Sequence, residues 1–251
     1  MTELTALRHM SDYRRRGRGF LVAVVVALAA ILMIGLTPAG GDSPAQATNT
    51  PRIAADYRSF FADSALEGTG WTTCAGPITY SIDVRALRRA QRKREIKRVR
   101  WSMRQWARAG DLRVRFTGRE RLRLDPVSHT LHPADGTVQR DRHVYISFVR
   151  EGVDPLMVDP VAGLAMPARV SVAEREVIGG VALFRARHVR KLSKVDGRAL
   201  KGLYLHELGH VFGLGHAERT ENVMHPTVVR RTELGAGDRA GVRAVVKSCS
   251  G

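Results

Sequence analysis

The chain has 251 residues, of which 44% are hydrophobic, enough for one well-packed core and without a composition shift that would divide it into two domains. Its formal charge of +17 at pH 7 favours anionic partners, but no nucleic-acid-binding motif accompanies the arginines. We therefore expect no nucleic-acid partner. The basic surface is either simply solvated or binds anionic polymers.

The first 47 residues have the layout of an export signal. Arginines at positions 14, 15, 16 and 18 precede an apolar run over residues 20–36, and small residues follow. The pattern Ala45-Gln46-Ala47 favours cleavage after Ala47, whereas the 17-residue apolar run leaves an uncleaved anchor as the alternative. Either way, we expect an extracellular or envelope protein that contacts the membrane only through an uncleaved segment.

Regular patterns begin after residues 48–70, which are polar and predict a linker. Residues 78–82 alternate as in a strand, and Asp83 is placed as a helix N-cap. A helix is predicted over residues 84–109, because one apolar stripe recurs at helical spacing while basic residues cover the rest as a solvated face. The stripe consists of Ile96, Val99, Met103 and Trp106.

Further strands are predicted at residues 112–116, 144–148, 163–167 and 177–184. The piece at 163–167 suits an edge strand that ends at its proline, and Gly179 with Gly180 indicates a bulge or a close backbone approach. His129 and His132 lie in a polar loop and are expected to be solvent-exposed. Helices should start at residue 197 or 198 and span residues 238–247. The order predicts an α+β domain over residues 71–251, with about five strands and three helices.

Residues 206–216 read HELGHVFGLGH. On a helix, His206 and His210 lie on one face about one turn apart, so both imidazoles can bind one metal ion. Gly213 can adopt a positive φ that ends the helix and turns the chain, which would deliver His216 to the same ion. Three imidazoles leave a fourth coordination position open, as in catalytic rather than structural zinc.

Glu207 follows the first predicted ligand directly. Because zinc lowers the pKa of its bound water to about 7, Glu207 can accept the proton as that water attacks a peptide carbonyl. The same carboxylic acid can then protonate the departing amine. These residues predict a zinc-dependent endopeptidase that acts on protein or peptide substrates.

The motif resembles the metzincin signature HExxHxxGxxH, and Asn222 to Pro226 resembles the Met-turn, with Met224 eight residues after His216. Matrixins are the most similar metzincins. The weaker likeness over residues 71–246 rests on Ile78–Tyr80, Trp106, Val144–Ile146, Gly163–Ala165, Leu234, Asp238 and Gly241. The resemblance implies a metzincin-like zincin with a twisted mixed sheet and an antiparallel edge strand.

The same resemblance implies roles for further residues. Substrate would lie extended along the edge strand at Gly163, Leu164 and Ala165, and Met224 would form a hydrophobic floor below the metal. The sequence departs from the family between residues 149 and 162. Asp154 and Asp159 could ligate calcium there, but no histidine supports a second, structural zinc. His225 stands where matrixins usually have tyrosine, so the side-chain preference stays open.

The chain contains two cysteines, Cys74 and Cys249. In an exported protein an even number favours a disulfide, which would tie the C-terminus back to the first strand. Two alternatives to the endopeptidase also stay open. One is a zinc exopeptidase with the same ligands, and the other is a cationic cell-envelope-binding protein with a structural zinc. Glu207 weighs against the second, because a structural site has no use for a general base.

Overall fold

A computed structural model describes residues 56–157, 161–227 and 230–248. The predicted export segment, Asp159 and Cys249 lie outside these ranges. The strands are β1 (Ile78–Asp83), β2 (Val114–Arg119), β3 (Leu122–Asp125), β4 (Thr130–Pro133), β5 (His143–Val149), β6 (Gly163–Ser171) and β7 (Glu176–Arg185). The helices are α1 (Arg89–Ala109), α2 (Ala186–Val195), α3 (Gly197–Val211) and α4 (Ala236–Val245). None of the described helices is long and apolar enough to cross a membrane.

Five strands form one sheet in the order β2-β1-β5-β7-β6. The pairs β1–β2, β1–β5 and β5–β7 are parallel, while β6 runs antiparallel to β7 at the edge. Every residue of β5 is buried, as expected for a central strand covered on both faces. The predicted mixed five-stranded sheet with an antiparallel edge strand is thus confirmed, and the architecture is consistent with a metzincin-like fold.

Helix α1 packs its apolar stripe against the core, as its periodicity predicts. Val99, Met103 and Trp106 are fully buried, and Ile96 lies at the margin. The indole Nε1 of Trp106 donates a hydrogen bond of 2.8 Å to the carbonyl of Leu205, which fixes α1 against α3. This contact places α1 directly behind the helix that carries the histidine motif.

The beginning of α1 corrects one prediction. Asp83 does not cap a helix, because it is the last residue of β1 and α1 begins six residues later, at Arg89. The Asp83 carboxylate accepts hydrogen bonds from the backbone amides of Arg85 and Leu122 instead. It therefore holds the chain after β1 to the start of β3.

The edge strand is longer than the sequence indicates. It runs from Gly163 to Ser171, and Pro167 lies within it rather than ending it. A register shift after Pro167, opposite Gly179 and Gly180, absorbs the proline at the edge, where one side of the strand has no partner among the described strands. A Cβ at Gly180 would lie 2.9 Å from Val211 Cγ1, so the predicted close backbone approach is present.

Two features were not predicted. The hairpin β3–β4 occupies the segment that the sequence predicts as a polar loop. Helix α2 is additional, so the described residues contain four helices where three were predicted. His129 and His132 are half-buried rather than solvent-exposed, because both lie at this hairpin. His129 contacts the Asp154 carboxylate at 2.8 Å, and His132 contacts the Thr130 hydroxyl at 3.0 Å.

Candidate metal centre and peptidase site

The first two histidines of the motif lie one turn apart on α3, near its end. The Nδ1 atom of His206 lies 2.8 Å from the carbonyl of Val223, and Nδ1 of His210 lies 2.7 Å from the carbonyl of Leu214. A carbonyl only accepts hydrogen bonds, so each Nδ1 carries the proton and donates it. The Nε2 atom of each ring is consequently left as an unprotonated ligand.

The third histidine reaches the first two through a turn at Gly213. Helix α3 ends at Val211, and Gly213 has a φ of +97°, in the left-handed region that favours glycine. The turn brings His216 back so that its ring centroid lies 5.3 Å from that of His206 and 5.0 Å from that of His210. The predicted use of Gly213 is therefore present in the structure.

The three imidazoles converge on one point. Their candidate ligand atoms all lie within 4.8 Å of one another, and no carboxylate or thiolate joins the group among the described residues. His206 is buried, His210 is half-buried and His216 is exposed, so the group opens toward solvent. Three imidazole nitrogens with an open side fit the donor set of catalytic zinc.

The protein environment keeps these imidazoles neutral. Desolvation lowers the pKa of His206 to about 4, with smaller contributions from the charges of His216 and His225. Desolvation also lowers the pKa of His210 well below its ordinary value, and lowers that of His216. A metal ion binds the neutral ring, so the site is ready to take an ion at neutral pH without first losing protons.

Glu207 is buried between α3 and the edge strand. Its carboxyl group lies against Gly163 so closely that a Cβ there would be 2.6 Å from Glu207 Cγ and 2.8 Å from Oε1. Burial raises the pKa of Glu207 to about 8. A divalent cation held by the neighbouring histidines would stabilise the carboxylate and lower this pKa again. A carboxyl group that exchanges a proton near neutral pH is suited to general acid–base chemistry.

The segment predicted as the Met-turn packs against α3. Met224 is 2% exposed, and a Cβ at Gly209 would lie 2.2 Å from its sulfur, so the thioether rests on the backbone of α3. Asp238 holds the turn from α4: its carboxylate accepts hydrogen bonds from the amides of Val223 at 2.7 Å and Met224 at 3.1 Å. The sequence predicts Asp238 at the start of the last helix, but its contact with residues 14 and 15 positions earlier has no local signature.

The chain before β1 also supports the site. The Asp56 carboxylate accepts hydrogen bonds of 2.9 Å from the backbone amides of Glu218 and Arg219, just after the third histidine. The Phe60 amide donates to the carbonyl of Gly213 at 2.8 Å, and the Phe60 ring lies edge-on to His210. These residues fall in the segment predicted as a linker, and no local pattern marks them in the sequence.

The remaining predicted residues lie on the edge strand and in the segment after β5. Gly163, Leu164 and Ala165 form the start of β6, beside Glu207. Asp154 is buried and accepts a hydrogen bond from the Leu156 amide at 2.8 Å. Calcium binding by Asp154 and Asp159 stays a prediction, since Asp159 lies outside the described residues.

Comparison with known proteins agrees with this geometry. Residues 137–246, which include β5 to α4 and all three histidines, match the model of the matrixin family. None of the curated proteins matches the chain. The sheet with its antiparallel edge strand, the converging histidines and the family match lead to one conclusion. The chain is matrixin-like over residues 137–246, and this likeness supports a zinc metallopeptidase.

Proposed function

We propose that the chain is an endopeptidase in which His206, His210 and His216 hold one zinc ion and Glu207 is the general base and acid. The observation that carries this proposal is the buried Glu207 carboxyl group, next to a ligand histidine and against the backbone of β6. A zinc site that only stabilised the fold would have no need for this carboxyl group, whose burial costs free energy.

Zinc at the three imidazoles would supply a Lewis acid that polarises the scissile carbonyl and makes water a better nucleophile. Glu207 takes the proton from the attacking water at a carboxylate oxygen and later delivers it to the departing amine. Gly163 allows the carboxyl group to lie at the strand, where no side chain separates it from a peptide aligned with β6. Val223 and Leu214 hold the imidazoles in the required tautomer through their carbonyls.

The edge strand supports endopeptidase rather than exopeptidase activity. β6 pairs with β7 on one side only among the described strands, so its other side can add an extended peptide by backbone hydrogen bonds. Strand addition continues in both directions and does not require a free terminus near the reacting bond. We therefore favour extended segments of proteins as substrates, cut within the chain.

The substitution Glu207→Gln tests the mechanism. We expect the variant to retain one zinc ion by metal analysis and to lose about 10²- to 10⁴-fold in kcat on an internally quenched peptide. The matched control is Glu233→Gln at an exposed glutamate, which should keep full activity. A fully active Glu207→Gln variant would remove the proposed mechanism, and cleavage only of peptides with a free terminus would favour an exopeptidase.

We propose further that residues 1–47 export the catalytic domain and that Cys74 and Cys249 form a disulfide. The disulfide is supported by the backbone near Cys74, where the Thr73 amide donates to the carbonyl of Lys247, two residues before Cys249. Fractionation of the producing cells, N-terminal sequencing and non-reducing peptide mapping test both points. A protein found only in the cytoplasm would contradict export, and separate Cys74 and Cys249 peptides without reductant would contradict the disulfide.

A further inference from the structure

A strongly basic groove lies between α1 and the outer strand β2, at the sheet edge opposite β6. It has a volume of about 710 Å³, and we call it the α1–β2 groove. Seven of its eight lining residues are cationic; the lining comprises Arg89, Arg92, Lys93, Ile96, Lys97, Arg100, Arg104 and Arg119. None of these seven forms an ion pair with an acidic residue in the described part of the chain.

The arrangement of these cations works against the stability of α1. Arg89, Lys93 and Lys97 follow one another at a spacing of four, where like charges on a helix repel. No acidic residue lies in the first turn of α1, so the positive end of the helix dipole is not compensated either. A surface that is only solvated usually alternates both signs of charge, whereas this groove concentrates one sign.

A second basic groove, between α1 and α2, differs in this respect. Its Arg94 pairs with the buried Glu95, and its Arg187 pairs with Glu151. Carboxylates of the same chain therefore already neutralise part of the charge of this second groove. The α1–β2 groove has no such partner among the described acids, so its field is available to an external anion.

Length and chemistry indicate which anion fits. The cations from Arg89 to Arg104 extend over about 22 Å at 1.5 Å per residue, much longer than one small anion. Five of the seven are arginines, whose planar guanidinium matches the oxygens of a phosphate in a bidentate manner. We propose that the α1–β2 groove binds a linear polymer of repeating phosphate groups without nucleobases, since no nucleic-acid-binding motif accompanies these cations, and thereby retains the peptidase on polyanionic material.

The position of the groove leaves the peptidase cleft accessible. The groove lies at β2, whereas Glu207 and the edge strand lie at the other end of the sheet order. Polymer binding should therefore neither block peptide binding at β6 nor require zinc. Polymer binding and peptide hydrolysis can therefore be lost independently of each other.

The test compares two fourfold variants of the full chain with equal loss of charge. The groove variant replaces Arg89, Lys93, Lys97 and Arg104 by glutamine, which is a good helix former. The control variant replaces Arg108, Arg113, Arg121 and Arg150, which are also exposed and do not line the groove. Binding of inorganic polyphosphate, of poly(glycerol phosphate) and of polyglutamate is measured at two salt concentrations.

We expect the unchanged chain to bind at least one phosphate polymer, with an affinity that falls steeply as salt rises. The groove variant should lose roughly tenfold or more of this affinity, and the control variant less than about threefold.

Tighter binding of poly(glycerol phosphate) would point to an envelope polymer, and tighter binding of polyphosphate to the free polymer. Equal losses in both variants, equally tight polyglutamate binding, or no binding would each overturn the proposal. Thermal unfolding and peptide hydrolysis should be unchanged or improved in the groove variant, which excludes misfolding as the cause.

Discussion

The two edges of the central sheet use charge in opposite ways. At the β6 edge, Glu207 and His206 are buried. Desolvation raises the pKa of Glu207 and lowers the pKa of His206, so that it favours the neutral form of both side chains. At the β2 edge, cations such as Arg89 and Lys93 are exposed and lie beside no described acid. One sheet therefore carries buried ionisable groups, whose protonation is set by desolvation, at one edge and solvated cations at the other.

The difference also lies in how the side chains are positioned. The imidazoles of His206 and His210 are fixed by backbone carbonyls, and the Met-turn is fixed by Asp238. The cations of the α1–β2 groove have fewer such contacts: Arg92 donates to the carbonyl of Leu87 and Arg100 lies over the Phe116 ring, but none of them pairs with a described acid. Substitutions at the β6 edge should therefore change activity or stability by displacing side chains. Substitutions at the β2 edge should change anion binding through the total charge.

Among substitutions that leave the proposed catalytic and ligand residues unchanged, the largest effect is expected for Gly163→Ala. The new Cβ would lie 2.6 Å from Glu207 Cγ, and because a side chain rather than backbone must move, the fold should tolerate it. Displacing the carboxyl group by about 1 Å should lower kcat/KM on an internally quenched peptide about 100-fold. The control is Gly76→Ala, where a Cβ meets nothing within 4 Å. Unchanged activity in Gly163→Ala would mean that the position of Glu207 is not limiting.

A smaller effect, on stability, is expected for Gly209→Ala in α3. Alanine normally favours a helix, but here the Cβ would lie 2.2 Å from the sulfur of Met224 and 2.7 Å from Cζ2 of Trp106. We expect a loss of about 1–3 kcal/mol in the free energy of unfolding by denaturant titration, together with weaker zinc binding. Gly197→Ala, at the exposed start of the same helix, should be neutral or slightly stabilising. Equal effects of both substitutions would contradict the proposed packing.

The smallest effect concerns His143, at the buried centre between the two edges. Burial, and secondarily the charge of Arg140, lowers the pKa of His143 to about 3. As the pH falls below about 6.5, the unfolded chain takes up this proton and the folded chain does not. Stability should therefore be full above pH 6.5 and decrease by about 2 kcal/mol on going to pH 5.

Denaturant titrations at both pH values measure this change. In His143→Gln the contribution of this residue is gone, so the loss between pH 6.5 and pH 5 should be smaller than in the unchanged chain. An identical loss in both proteins would assign the pH dependence to other groups. The metal-site histidines are present in both proteins, so their titration does not affect the difference.

Local patterns in the sequence predicted the elements that hold the site. The spacing of His206 and His210 predicted a helix face, and Gly213 predicted the turn, because both depend on residues close together along the chain. The alternation in residues 144–148 and the apolar stretch at residues 177–184 likewise predicted β5 and β7. The hairpin β3–β4 was missed because each of its strands has only four residues. Helix α2 was missed although Val189 and Leu192 mark an apolar face at helical spacing, a pattern that is present in the sequence.

The sequence by itself determined the chemistry: three imidazoles and a carboxyl group at fixed spacing, and an excess of cations on one helix. Only the tertiary structure decided what surrounds them, because burial and contact join residues distant along the chain. Such contacts are those of Gly163 with Glu207, of Asp238 with the Met224 amide, and of Asp56 with the Glu218 amide. Desolvation at the β6 edge, which shifts the pKa of Glu207, arises from the folded surroundings and has no signature in any short segment.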